Sequence, residues 1–516
     1  MSASAMVDNA RYAIPLAVLL VAIALAKRAA RNSRPPLPPG PTPLPIVGNM
    51  LTVNPTEPWI TYTEWGKAYG DIIYSRLLNQ EIIVINSEKV ARDLLDHRSG
   101  NFSDRPTIVT TEFFGWSYNT GFMRYGDRWR QHRRLFHRVF KPEVALAYRP
   151  LQMRKVHQCL VGLIETPKEY DSLLQTLSAS VIMAITYGYD TAPRHDPLVA
   201  VVESAITLAL GAITPEAAAI LSAYPFLLRL PSWFPGAGFQ TKAQQSRDVS
   251  IEMVEAPFRH AKQCISSNIP ISCVCSDLLS KASNEDDVNL EQAIKDLAAT
   301  SFVAAAETTS STLLVFVLAM LLHPEIQKKA QVEIDAVVGQ GRLPDFDDRA
   351  SMPYIDAIVR ETLRWHPVVP LGIAHAATES DVYEGYHIPK GATVIANAWA
   401  MSHNEDKYPD PYTFKPERFL VNGELNDDTA IYAFGFGRRI CVGRHVADAT
   451  VWAAIASILA AFNIKKDRDE HGNEIEIDMK FSLEMIRHPL PLPCYFESRL
   501  PGMTTEKLVQ MIATAE

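Results

Sequence analysis

Apolar residues recur at intervals of three and four along most of this chain, a spacing that predicts α-helices. The clearest helical segments are 128–140, 172–187, 290–322, 324–338, 354–365 and 442–462. Short apolar segments are fewer and predict strands at 82–85, 383–388 and 393–396. Asn86-Ser87 is expected to cap a helix that begins at Glu88, and 268–287 and 420–430 are expected to be polar loops. The pattern therefore predicts a mainly α fold with small β-sheets, of the α+β class.

Segment 289–322 has 34 residues without glycine or proline, which predicts a helix of about 51 Å. Between Leu297 and Leu322 only Glu307 can ionise. A membrane span is one interpretation of such a segment. Threonines and serines surround Glu307 and divide the apolar sequence, which favours a helix buried in a soluble core. A buried carboxylate is costly unless its pKa shifts, and the neighbouring hydroxyls suggest a proton relay.

The N-terminus carries a second apolar segment, residues 12–26, which has no charge and is followed by Lys27, Arg28, Arg31 and Arg34. Basic residues after the apolar segment favour a membrane anchor whose C-terminal side stays in the cytosol. A signal peptide or an interfacial segment is the alternative. The prolines that follow predict a stiff spacer. We expect an anchor at 1–34, a proline-rich hinge at 35–45 and one globular domain at 46–516.

Charge and cysteine content exclude two classes of protein. The chain has 50 basic and 58 acidic residues, a net charge of −8, which disfavours an extended nucleic-acid interface. Six scattered cysteines in 516 residues are too few for a disulfide scaffold. Cys273-Val274-Cys275 is too closely spaced for a paired zinc motif and has no second pair. Reduced thiols in a cytosolic domain are expected.

Cys441 lies in an unusual context, Phe-Gly-Phe-Gly-Arg-Arg-Ile-Cys-Val-Gly-Arg-His at 434–445, just before an apolar helix. Gly435 and Gly437 allow tight turns against which a flat ligand can pack. The nearby arginines and the start of a helix are expected to lower the thiol pKa. Such a cysteine is a metal ligand or a nucleophile. His445 is not placed as an obvious base, and Ile440 occupies the last glycine position of a dinucleotide motif.

This segment resembles the haem-binding signature of the cytochrome P450 family, F-x-x-G-x-R-x-C-x-G, matched at Phe434, Gly437, Arg439, Cys441 and Gly443. Further motifs of the family follow its order, namely W-x-x-x-R at Trp129 and Arg133, the acid-threonine motif at 304–309, E-x-x-R at Glu361 and Arg364, and P-E-R-F at 416–419. Ala305 replaces the usual glycine of the acid-threonine motif, so we expect a smaller local bulge. The similarity extends from about residue 35 to 496. The sequence most resembles microsomal members of the family from basidiomycete fungi.

The resemblance implies a haem b cofactor with the Cys441 thiolate as its axial iron ligand. Glu307 and Thr308 are then the catalytic residues, which deliver protons for O–O cleavage. The cofactor-binding residues implied are Trp129, Arg133, His375, Phe434 and Arg439. Glu361, Arg364 and Arg418 are implied to form a buried structural network, although spacing alone would be typical of a surface ion pair.

The implied function is a monooxygenase reaction of O2 with a lipophilic substrate, of which a fungal terpenoid is the favoured class. Fatty acids, polyketides and xenobiotics stay open, as do a haem-thiolate isomerase or dehydratase and a non-enzymatic haem protein. The expected pocket residues are Phe114, Phe302, Ala306, Val369, Leu371 and Ile486, nearly all apolar. The chain has no flavin or nicotinamide motif, so an NADPH-cytochrome reductase, with cytochrome b5 as a further candidate, is expected to dock on the basic face. Arg130, Arg134, Arg438 and Arg444 mark that face, and the protein is expected at the endoplasmic reticulum membrane.

Overall fold

A computed structural model describes residues 35–211, 215–282, 288–499 and 502–513. The expected anchor at 1–34 lies outside these residues. Most of the described chain is helical, and helices of at least eight residues are numbered here in chain order. They are α1 Pro58–Tyr69, α2 Asp127–Phe140, α3 Arg149–Glu165, α4 Tyr170–Tyr187, α5 Pro197–Gly211, α6 Pro215–Ala223, α7 Phe239–Ser266, α8 Val274–Ala282, α9 Val288–Leu322, α10 Pro324–Val337, α11 Pro353–Trp365, α12 Arg444–Ala461 and α13 Thr505–Ala513.

The six helices predicted from apolar spacing are all present, as α2, α4, α9, α10, α11 and α12, with ends shifted by at most a few residues. A helix also begins at Glu88, and Ser87 occupies its N-cap without a side-chain cap bond. The predicted loop at 268–287 is wrong in part, because α8 lies within it. Cys273, Val274 and Cys275 are buried there. Because the packing of buried apolar side chains stabilises helices, this segment is a helix and not a loop.

In the part of the chain that the structure describes, ten short strands form small sheets. They are β1 Ile72–Leu77, β2 Gln80–Ile85, β3 His375–Ala376, β4 Asp381–Tyr383, β5 Tyr386–Ile388, β6 Thr393–Ala396, β7 Leu420–Val421, β8 Glu424–Leu425, β9 Phe462–Lys466 and β10 Cys494–Ser498. The largest sheet has the order β1-β2-β6-β3. Within it β2 and β6 are parallel, with Ile82 opposite Thr393. This pairing joins segments that are 311 positions apart in sequence and fixes the sheet beside the helices.

One strand expectation and one loop expectation were wrong in detail. Residues 383–388 do not form one strand, because Glu384 and Gly385 both have positive φ and turn the chain between β4 and β5. A two-residue turn of this kind joins antiparallel strands. The predicted loop at 420–430 contains the β7–β8 hairpin, turned at Asn422 and Gly423 by the same geometry. The strands β1, β3, β9 and β10 were not predicted.

The centre of the main core is α9. Its C-terminal residues 313–321 are at most 5% exposed, and α9 packs against α4, α12 and α2. Among the described residues α9 is the one helix that is long and apolar enough to cross a membrane. Its burial instead identifies it as the core helix of a globular domain, as predicted. The mainly α fold with small sheets is that expected from the sequence.

Candidate active site

The turn before α12 presents the Cys441 side chain. The backbone N–H of Cys441 donates to the Phe434 carbonyl, N···O 2.8 Å, and closes the loop between them. Within this loop Gly437 has a φ of 56°, and its backbone N–H donates to the Asp96 carboxylate. Helix α12 begins at Arg444, directly after Gly443. The loop is thus fixed at both ends, which holds the sulfur at one position.

Glycine is required at position 437 by packing as well as by backbone angle. A Cβ atom there would overlap the Leu95 carbonyl group, and positive φ disfavours any L side chain. We expect Gly437→Ala to prevent stable haem incorporation. The measurement is the haem-to-protein absorbance ratio of the purified variant.

Gly423→Ala is the matched control for that prediction. Gly423 has a φ of 87°, and nothing lies within 4 Å of a Cβ added to it. This variant carries the backbone penalty of about 1–2 kcal/mol without the overlap. Equal haem retention in the two variants would contradict the packing argument.

The expected lowering of the Cys441 thiol pKa is wrong as a net effect. Burial raises its pKa, and this effect outweighs the backbone amides of Gly443 and Arg444 and the charges of Arg133 and Arg444, which all lower it. Arg438 and Arg439, which are also among the arginines near the cysteine in sequence, do not contribute to this lowering of the Cys441 pKa. The Arg438 guanidinium instead donates to the Tyr125 hydroxyl. The Cys441 side chain keeps accessible surface although protein atoms surround and desolvate it, so it faces an internal open space.

Cationic side chains converge beside this space. Trp129 and Arg133 lie on α2, and the Arg439 guanidinium stacks over the Trp129 ring at 4.4 Å. Burial lowers the pKa of Arg133 and of Arg439 to about 10, so both stay charged at neutral pH. Arg105 is a buried member of the group that sequence reasoning missed. It donates to the carbonyls of Gly121, Ile373 and Ala374. A lone arginine in a loop gave no spacing signal.

His375 lies beside Arg105 and is neutral at physiological pH. Burial, followed by the charge of Arg105, lowers its pKa to about 3. Its Nδ1 lies 2.7 Å from the Phe102 carbonyl, which can only accept, so Nδ1 carries the ring proton. The outer nitrogen then donates to a carboxylate only after a second proton binds. A carboxylate placed beside this cluster would raise the pKa of His375 and promote that protonation.

These residues fit the haem b expected from the sequence. Cys441 offers a thiolate ligand supported by two backbone amides. Guanidinium groups bind carboxylates through charge-assisted hydrogen bonds. The two haem propionates would therefore be bound by Arg105, Arg133 and Arg439. Arg133 is half-buried and has no hydrogen-bond partner among the described residues. A cation without a protein partner at this position is suited to a ligand carboxylate.

The middle of α9 presents Glu307 and Thr308. Ala304, one turn before Thr308, is exposed although it belongs to the central core helix, so this part of α9 also borders open space. The Thr308 hydroxyl donates to the Ala304 carbonyl, O···O 2.7 Å. The helix is continuous through Ala305, in agreement with the expected small bulge. Burial, followed by the charge of Glu484, raises the pKa of Glu307 to about 7.

The raised pKa of Glu307 makes the free energy of unfolding depend on pH. The folded-state pKa of about 7 exceeds the ordinary value of 4.5, so the folded state binds more protons between these values and stability falls as pH rises through them. We expect the free energy of unfolding of Glu307→Gln, taken relative to that of wild type, to rise by roughly 2–3 kcal/mol between pH 4.5 and 8. Urea unfolding of both proteins across that range measures it, and parallel curves would contradict it.

Glu361, Arg364 and Arg418 form one buried cluster. Two Arg364 nitrogens donate to the Glu361 carboxylate at 2.6 and 2.7 Å, and Arg418 Nε donates to it at 3.1 Å. The Lys415 backbone N–H adds a fourth bond at 2.7 Å. Both Glu361 and Arg364 have no exposed side-chain surface. The surface-pair interpretation of this spacing is therefore wrong.

The expected pocket residues fall into two groups. Phe114 and Phe302 are 4% and 1% exposed and pack within the main core. Ala306, Val369 and Leu371 are half-buried, while Ile486 is 9% exposed. Further apolar side chains with larger exposed surface occur in the same loops, namely Ile373, Leu483 and Met485.

The basic face is only partly neutralised by the protein. Arg130 pairs with Asp127 at 2.6 Å, and Arg438 bonds to Tyr125. Arg134 is exposed on α2 and has no ion-pair partner among the described residues. Arg444 donates to the Cys441 carbonyl at 3.0 Å. Positive charge thus lies on the surface next to the cysteine loop.

Comparison with known proteins adds an independent result. The family model described as "Cytochrome P450" matches residues 38–492. A cytochrome P450 monooxygenase of Armillaria gallica is 39% identical over 95% of this chain and 97% of its own length. Cytochrome P450 monooxygenase COX1 of Coprinopsis cinerea is 38% identical over 96% and 98%. Tryptamine 4-monooxygenase of Psilocybe cyanescens is 36% identical over 93% and 98%.

Proposed function

We propose, because this chain belongs to the cytochrome P450 family of haem b monooxygenases, that it inserts one oxygen atom from O2 into a terpenoid of fungal secondary metabolism. We further propose that the electrons come from an NADPH-cytochrome reductase and that the protein is anchored to the endoplasmic reticulum membrane by residues 1–34. The observation that carries the proposal is that the protein holds both an amide-supported thiol, Cys441, and two groups able to carry protons, Glu307 and Thr308.

The protein's contribution at the iron side is the Cys441 sulfur. Haem b, when bound, supplies the iron at which O2 is activated, and a thiolate ligand donates electron density that favours O–O cleavage. The amides of Gly443 and Arg444 stabilise the thiolate and hold it in position. Trp129, Arg133, His375, Phe434 and Arg439, with Arg105 added, would hold the cofactor.

The protein's contribution on the α9 side is proton transfer. A carboxyl with a pKa of about 7 is populated in both protonation states near neutral pH, so Glu307 can release a proton and regain one. The Thr308 hydroxyl donates to Ala304, which leaves its oxygen free to accept a hydrogen bond from water or from a protonated carboxyl. This pair favours oxygen activation over isomerase or dehydratase chemistry, which needs no such relay.

The apolar side chains support a lipophilic substrate. Val369, Leu371 and Ile373 come from the segment between α11 and β3, and Met485 and Ile486 come from the chain before β10. Sites of this composition hold ligands largely by shape. A terpenoid hydrocarbon skeleton has that chemistry.

The experiment combines a binding screen with product analysis. Purified protein is titrated with terpenoids, fatty acids, an aromatic polyketide and tryptamine, and the haem spin-state change is recorded. Binders are then incubated with O2, NADPH and a fungal reductase. Oxygenated terpenoid that requires NADPH supports the proposal, whereas turnover of another class or turnover without NADPH contradicts it.

The reductase contact has its own variant. Arg134→Glu reverses one unpaired charge on the basic face, and Lys281→Glu makes the same change on α8, outside that face. We expect the first variant alone to weaken the reductase interaction, with the larger effect at low salt. Steady-state rates against reductase concentration measure it.

A further inference from the structure

A tight hairpin between β9 and β10 places two polar side chains beside Glu307. Phe481 and Pro489 form a β-bridge at its base, and the Ser482 backbone N–H donates to the His488 carbonyl at 2.9 Å. The His488 backbone N–H in turn donates to the Ser482 hydroxyl at 3.2 Å. The Arg487 backbone N–H donates to the Val368 carbonyl at 2.7 Å and ties the hairpin to the segment after α11.

Glu307, Glu484 and His488 come together where this hairpin meets α9. One side-chain oxygen or nitrogen atom of each residue lies within 4.8 Å of the corresponding atoms of the other two. Exposure increases away from the core, from half-buried Glu307 and His488 to exposed Glu484. Two carboxylates and an imidazole thus form one cluster between the core helix and the protein surface.

The separations and surroundings of these groups are suited to proton transfer. A distance of up to 4.8 Å is spanned by one bridging water with a hydrogen bond on each side. The charge of Glu484 contributes to the raised pKa of Glu307, so the two carboxylates interact. Apart from a contact of 3.3 Å between His488 Nδ1 and the Ser482 hydroxyl, none of the three side chains has a protein hydrogen bond within the described ranges.

We propose that Glu484 and His488 form the proton-uptake path that reprotonates Glu307. A proton bound at the His488 imidazole or the Glu484 carboxyl passes to the Glu307 carboxylate, and the donor then takes a proton from solvent. No electron or heavy atom moves in this step. The two are relay residues that act through Glu307, and the proposal rests on the proposed function of Glu307 as the proton donor of the reaction.

The proposed path predicts a defect in coupling, which is the amount of product formed for each NADPH consumed. We expect Glu484→Gln and His488→Gln each to lower product formed per NADPH by about three- to tenfold, with the missing electrons recovered as released peroxide. The effect is smaller than the roughly 10²-fold loss expected for the proton donor itself. The double variant is expected to show a larger solvent isotope effect on product formation than wild type.

A second readout does not require turnover. The carboxyl stretch of Glu307, assigned by its loss in Glu307→Gln, is followed by infrared spectroscopy as pH is varied. Glu484→Gln is expected to lower the pKa of Glu307, because it removes the second carboxylate. Among the described residues, Glu484 and His488 are the titratable groups that face Glu307. Burial is the other cause of the raised pKa of Glu307.

Glu476→Gln is the matched control, an exposed glutamate of the same chain segment that is outside the cluster. Its coupling and the Glu307 pKa are expected to equal those of wild type. Retained coupling and an unchanged Glu307 pKa in both relay variants would overturn the proposal while the wild-type enzyme stays active. Wild-type protein that forms no oxygenated product would instead overturn the proposed function.

Discussion

We expect the Cys441→Ser variant to lose monooxygenase activity while the protein remains folded. The hydroxyl is nearly the same size as the thiol, so the loop hydrogen bond from the Cys441 backbone to Phe434 and the start of α12 are retained. The chemistry is lost, because an alcohol does not ionise at neutral pH and cannot donate electron density to iron as a thiolate does. The expected residual rate is at least 10²-fold below wild type.

The control for this variant is another cysteine. Cys264 is 8% exposed on α7, away from the cysteine loop. Cys264→Ser is expected to retain haem content and product formation. Haem content, circular dichroism and NADPH-dependent product are measured for both variants. Unchanged product formation in Cys441→Ser would contradict the assignment of the sulfur as the iron ligand.

Glu361→Gln is expected to have the largest effect on stability. The amide keeps the shape of the side chain but removes the negative charge that Arg364 and Arg418 share. Arg364 has no access to solvent, so its charge remains without a counter-ion. Removing one partner of a buried ion pair costs about 3–5 kcal/mol. This is a large part of the 5–15 kcal/mol that stabilises a typical domain.

The matched control uses the same helix spacing on the surface. Asp127 and Arg130 are also three residues apart, and the Asp127 side chain is 99% exposed. Because exposed pairs contribute little, Asp127→Asn is expected to leave the unfolding midpoint unchanged. Thermal unfolding and the yield of haem-loaded protein are compared. Similar midpoints for wild type and Glu361→Gln would show that the cluster is not stabilising.

Features fixed by local pattern were predictable from sequence. The period of apolar residues located α9 and α12, because a core helix leaves its spacing in the sequence. The Cys441 loop was recognisable because its glycines and arginines are close in sequence. The turn at Glu384-Gly385 was missed, although Gly385 is a typical turn residue, because the flanking apolar residues read as one strand.

Features that depend on distant contacts were not predictable. Arg105 joins the arginine cluster through a loop far from the cysteine in sequence, and Glu484 and His488 reach Glu307 through a hairpin. The pKa of Cys441 depends on how burial competes with amide hydrogen bonds. Neighbouring residues in the sequence reveal the charges but do not reveal the burial.

The most direct test of the account is the reduced carbon monoxide difference spectrum of the wild-type protein beside that of Cys441→Ser. We predict the absorption band of thiolate-ligated haem in the wild type and its absence in the variant. The same band in both proteins, or no such band in haem-loaded wild type, would contradict a thiolate bond from Cys441 to the iron.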